Sequence, residues 1–158
     1  MKIQIGIKPE DTVKVADFLN RLLADEHILY IKTRNAHWNV EGPDFSSQHK
    51  FFEEQYTQLA DIIDSVAERI RSIGHYAEAS LQGFLKLTHL TEKTREKNDS
   101  IGYIKELLED HEAIITTIRE NIDRFADKWH DQGSSEFLTG LMVTHEKFAW
   151  MLRSHLVS

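Results

Sequence analysis

The chain contains no cysteine. That excludes disulfides and thiolate metal sites, and it removes any cysteine evidence for an oxidising compartment. Proline is nearly as scarce: Pro9 and Pro43 are the only two in 158 residues, and glycine occurs seven times. So few breakers favour long helices over a sandwich or a barrel. Positive charge is in the minority, with 19 Lys and Arg against 26 Asp and Glu and a formal net charge of −7. A chain of that sign is a poor nucleic-acid binder by default, because phosphate binding needs clustered cations. Long apolar runs are missing too. No stretch approaches the roughly 20 apolar residues of a membrane span, and "MKIQIGIKPED" has no apolar signal-peptide core. The expected location is cytoplasmic, with no membrane partner.

What is present is an ordinary globular balance, 41% hydrophobic and 28% charged. The length suits one domain over residues 1–158 with a sizeable core. Apolar residues recur at helical spacing in four long segments. The first runs from about Pro9 to Ala36, with Pro9 in the first turn and Glu10 and Asp11 at the positive end of the dipole. The break "NVEGPD" follows. The second runs from about Asp44 to Ile73 and stops at Gly74, a residue suited to a helix C-terminus. Its expected stripe is Phe52, Tyr56, Leu59, Ile63, Val66 and Ile70, alternating steps of four and three, the seam of a packed bundle. A short helix is expected around Leu81–Leu87, then a polar loop. The third long helix starts near Asp99 and carries Ile104, His111, Ile118 and Phe125. "KWHDQGSS" breaks it, and the fourth runs from about Ser135 to Leu156.

A short first connection and a long second one describe an all-α four-helix bundle with one crossover, the ferritin-like topology. The short extra helix lies in that crossover. An ordinary up-down bundle with a loose middle loop is the other arrangement open to this pattern.

Two histidines stand either side of the Gly42-Pro43 break, about equally far from it. In a helix hairpin, His37 and His49 can therefore converge. Glu53 lies one turn after His49 on the same face. These three form a plausible half-site for a metal. A second acidic pair, Asp64 and Glu68, also lies one turn apart beside the stripe. It cannot serve the same site in the same chain. Asp64 is 15 residues from His49, roughly 22 Å along a helix at about 1.5 Å per residue. A second copy packed antiparallel about a two-fold axis would bring its Asp64 and Glu68 to this His37, His49 and Glu53, and would make two such sites. Imidazoles and carboxylates without thiolate suit iron, manganese or zinc. An intrachain di-iron bundle uses Glu-x-x-His, and none of the nine histidines has Glu three residues before it. Taken singly, each of these groups is as well explained as a hydrogen-bonded core histidine or a solvated acid.

"HWNVEGPDFSSQHKFFEEQY" followed by "DSVAERIRSIG" resembles the Dps family, the mini-ferritins. The resemblance spans about residues 10–155 in helix layout, with its distinctive motifs within residues 37–74. It implies a hollow dodecamer with ferroxidase centres shared between two-fold-related subunits. There Fe(II) would be oxidised, preferentially by hydrogen peroxide, and stored as ferric mineral, protecting against oxidative stress. The family's ligands fall on His37, His49, Glu53, Asp64 and Glu68; zinc is a second metal these donors would accept. Many members carry Asp where this chain has Glu53, a longer arm at the weaker iron position. Trp38 would stand beside the centre, where the family's Trp could quench oxidising equivalents; packing at a helix end is its other role. The family also has acidic three-fold pores. By position Asp127, Asp131 and Glu136 are the candidates, with ordinary surface acids as the alternative, and His130 nearby reads as a surface residue. DNA-binding members usually carry a Lys/Arg-rich tail, whereas only Lys2 and Lys8 precede the first helix here, so DNA binding is not expected. The rival functions are a DNA-compacting shell and a metal-binding helical oligomer that performs no oxidation.

Overall fold

A computed structural model describes residues 3–93 and 95–157; Lys2 lies outside them. Among the described residues five helices follow one another: α1 (Pro9–Asn39), α2 (Phe45–Ser72), α3 (Leu81–Leu87), α4 (Ser100–Asp127) and α5 (Gln132–Ser154). The architecture is the expected all-α four-helix bundle with a short extra helix in the long crossover. α1 packs on α2 and α4 on α5, while α3 lies against α1. The core joins Leu19, Leu23 and Leu29 of α1 with Phe52 and Leu59 of α2, Ile104, Ile114 and Ile118 of α4, and Leu138 and Leu152 of α5.

Local chemistry fixes the helix ends. Asp99 accepts a hydrogen bond from the Gly102 amide at 2.8 Å and caps α4. Ser80 does the same for α3 through Gly83, at 3.0 Å. Gly74 has φ +94° and follows α2 directly; a Cβ there would meet Ile3 Cδ1 at 2.2 Å. Only glycine has both the conformational freedom and the absence of bulk this position needs. The α1–α2 turn is tied to the chain before α4. The Glu41 amide donates to Asn98 O at 2.9 Å, and Ser100 Oγ donates to Asp44 Oδ2 at 2.6 Å.

Two helix boundaries and one buried stripe differ from the sequence expectation. α1 continues past Ala36 to Asn39 because the Val40 amide still reaches Ala36 O at 3.0 Å. His37 is thus inside the helix. α5 begins at Gln132 rather than Ser135, because Asp131 accepts from the Ser134 amide and caps it. His130, at φ 54°, makes the left-handed turn between α4 and α5. The α2 seam holds at Phe52, Leu59, Val66 and Ile70 and differs at two steps. Gln55 and Ile62 are buried where Tyr56 and Ile63 were expected, and those two are half-buried at its edge.

Candidate metal centre

The α1–α2 turn brings the two histidines face to face. The rings of His37 and His49 stack with centroids 3.8 Å apart and planes 21° apart. His37 Nδ1 lies 2.7 Å from His49 O, and His49 Nδ1 lies 2.8 Å from His37 O. A carbonyl oxygen can only accept, so each Nδ1 carries the hydrogen. Each Nε2 is then left with a free lone pair, the form in which imidazole binds a metal. The main chain of one histidine thus sets the tautomer and orientation of the other. His37 is buried and His49 half-buried.

Aromatic residues surround the pair. The Tyr56 ring meets His37 edge-on at 5.2 Å, and Phe45 lies 5.3 Å from His49. Arg34, one turn before His37, places its guanidinium 4.5 Å above the Trp38 ring and 5.2 Å from that of Tyr56. Its Nη1 donates to Tyr30 Oη at 2.8 Å. Trp38 itself is 62% exposed, so packing within its own chain does not explain it. From sequence, Tyr56 is expected only as a core-stripe residue, and Arg34 is not marked as part of the site. The helical offset of Arg34 from both His37 and Trp38 is the signal that could have found it.

The carboxylates behave differently. Glu53, Asp64 and Glu68 all lie on α2 and are exposed. Among the described residues, none of their carboxylates forms a hydrogen bond or ion pair. Nor do any three His, Asp or Glu side chains among the described residues converge closely enough to hold a metal ion. The structure therefore brings His37 and His49 together and leaves the three acids unengaged along one helix.

The expected pore acids divide. Asp127 ends α4 and Glu136 lies on α5, both exposed, and His130 is exposed between the helices. Asp131 does not fit the role. It is only 2% exposed, and its carboxylate accepts from the Ser134 amide at 2.9 Å, Ser134 Oγ at 2.6 Å and Arg69 Nη2 at 3.0 Å. Those contacts cap α5 and pin it to α2, so this acid is engaged inside its own subunit.

Fold and turn geometry together define a ferritin-like protein, and the ferritin-like domain model matches residues 16–158. The DNA protection during starvation protein of Helicobacter pylori is 35% identical over 91% of this chain and 99% of its own length. A low temperature-induced protein of Nostoc is 43% identical over 98% of this chain and 87% of its own. The Dps protein of Vibrio cholerae, described as a member of a broad superfamily of ferritin-like diiron-carboxylate proteins, superposes with a TM-score of 0.91. It is 31% identical, covering 99% of this chain and 97% of that one. Within the ferritin-like class, the chain belongs to the Dps family.

Proposed function

We propose that this protein is a mini-ferritin that oxidises Fe(II), preferentially with hydrogen peroxide, and stores the Fe(III) product inside a dodecameric cage. The observation that carries the reading is the His37–His49 pair, oriented by its own main chain with both Nε2 atoms free. The exposed acids of α2 support it. In a two-fold dimer, Asp64 and Glu68 of one copy would complete the site begun by His37, His49 and Glu53 of the other. The diiron-carboxylate description of the Vibrio cholerae relative makes iron the favoured metal. Zinc suits the same donors and would compete for them.

The donor types fit the chemistry. Imidazole holds Fe(II), and hard carboxylate oxygens favour Fe(III), so the ligand set stabilises the product of oxidation. Peroxide accepts one electron from each of two Fe(II) ions, its O–O bond breaks, and with two protons it becomes two waters. Hydrolysis of the two Fe(III) ions by water then forms the ferric mineral and releases protons. No side chain is needed as nucleophile or general base. Trp38, exposed and next to His37 in the chain, would intercept stray oxidising equivalents before they reach solvent. Cage assembly is supported by the large apolar groups left at the surface: Trp38 and Phe45 near the histidines, Leu81 and Leu85 on α3, and Trp150 on α5. Asp127 and Glu136 remain the candidate pore acids, where a ring of carboxylates would draw cations inward. No helix among the described residues is long and apolar enough to cross a membrane, in keeping with a cytoplasmic cage.

Stopped-flow absorbance tests the reading. Fe(II) is added anaerobically to the assembled protein, and peroxide follows. Rapid growth of ferric absorbance with a soluble product is expected. A rate no faster than buffer would contradict the proposal and favour a metal-binding oligomer that performs no oxidation.

A further inference from the structure

Three side chains in the middle of the bundle lie outside the proposed iron chemistry. Glu26 of α1, His145 of α5 and His111 of α4 are each 0% exposed. His145 Nε2 lies 2.8 Å from Glu26 Oε1. His145 Nδ1 lies 2.9 Å from His111 Nδ1. One hydrogen-bonded chain therefore runs from α1 through α5 to α4, and Phe148 stacks on its far end, 5.0 Å from His111. Both ends are bare: among the described residues, Glu26 Oε2 and His111 Nε2 have no hydrogen-bond partner.

Proton counting sets what this chain tolerates. Only one hydrogen fits between two nitrogens 2.9 Å apart, so one ring must offer a bare Nδ1 to the other's N–H. If both rings were protonated, two N–H groups would collide and two cations would share a dry site. Glu26 contacts His145 but not His111. Burial first, and His145 second, hold the His111 imidazole well below the usual histidine range.

Asp25, beside Glu26 on α1, is committed to Thr88 Oγ1 and the His89 amide, each at 2.7 Å. Lys32 of α1 is committed to Glu106 and Asp110 of α4, at 3.0 and 2.6 Å. The buried face of α2 carries Gln48 and Gln55 but no ionisable group. On α5, His145 is the one buried ionisable residue among those described.

We propose that Glu26, His145 and His111 form an acid-sensitive latch joining α1, α5 and α4, which opens when a second imidazole proton breaks the Nδ1–Nδ1 contact. The sign follows from the His111 environment. In an opened or unfolded chain this ring takes its proton near 6.5; in the closed bundle it does so at lower pH. The latch is thus at full strength above that value and weakens as pH falls below it, by about tenfold in the opening equilibrium per pH unit for one added proton. Asp110 works in the opposite direction. Burial raises its pKa despite Lys32, so its charge costs stability at neutral pH and that cost lifts on acidification. Loosening in mild acid would therefore not come from Asp110.

Hydrogen–deuterium exchange on the assembled protein, corrected for intrinsic exchange, tests the latch. Protection around residues 111 and 145 should fall about tenfold per pH unit below 6.5. His111→Gln retains a donor for His145 and cannot titrate, so its protection should depend on pH far less steeply. Equal pH dependence in the two proteins overturns the proposal. A second readout needs no variant: ring nitrogen shifts of His111 should report a neutral imidazole for as long as the bundle stays closed. A charged His111 in the closed bundle overturns the latch. So does stabilisation of the wild type by zinc that His111→Gln abolishes, because it would mean that the two rings are a metal site.

Discussion

His37 and His49 each bond to the other's main-chain carbonyl, at 2.7 and 2.8 Å, with their rings stacked 3.8 Å apart. Neither ring can turn without breaking its own bond to the other's main chain. Under the proposed function the pair is preorganised for a metal before any partner arrives, and Asp64 and Glu68 remain to be supplied by a second copy. Assembly would then be a condition of activity rather than a by-product of it.

The first consequence is a size. Twelve copies of an 18.4 kDa chain make a particle of about 220 kDa. Light scattering coupled to gel filtration should find that mass at neutral pH. A monomer at micromolar concentration would leave every site without Asp64 and Glu68.

Asp131 should prove structural. It caps α5 and holds Arg69 of α2 while almost fully buried. Replacing it with Ala should destabilise the chain by about 2–3 kcal/mol, a lost cap plus a broken buried hydrogen-bond network. Asp127→Asn and Glu136→Gln alter exposed acids and should change stability by less than about 0.5 kcal/mol. If these two line the entry path, they should slow iron uptake instead. Chemical denaturation and uptake assays run on all three variants separate the roles.

DNA should not be retained. Each chain carries a net charge of −7, and an assembly multiplies that charge against an anionic duplex. Gel retardation at neutral pH and physiological salt should show free DNA at every protein ratio. A discrete shifted band would contradict this and revive the DNA-compacting alternative.

Much of this was legible in the sequence because helices are rigid rulers. The 15-residue gap between His49 and Asp64 by itself excludes a single metal held by both residues of one chain. The short helix Leu81–Leu87 is legible as an apolar stretch ahead of a polar loop, and its Ser80 cap is seen only in the fold. Other features depend on partners far away in the chain. The burial of Gln55 and Ile62 in place of Tyr56 and Ile63 is decided by packing that helical periodicity does not resolve. Asp131 read as a pore acid because nothing local to it reveals Arg69, 62 residues earlier. His111 was recognised only as a member of an apolar stripe. Its companions Glu26 and His145 lie on two other helices, and no spacing rule links the three.

The shared site can be tested directly by mixing two inactive variants. His49→Ala removes a nitrogen donor, and Asp64→Ala removes a carboxylate that acts in the neighbouring copy. Each alone should slow peroxide-driven Fe(II) oxidation by at least about tenfold. After dissociation and reassembly together, hybrid dimers regain one intact site and one doubly defective site, so activity should partly return. A mixture that reassembles, exchanges subunits and still shows no more activity than either parent would contradict a centre built from two chains.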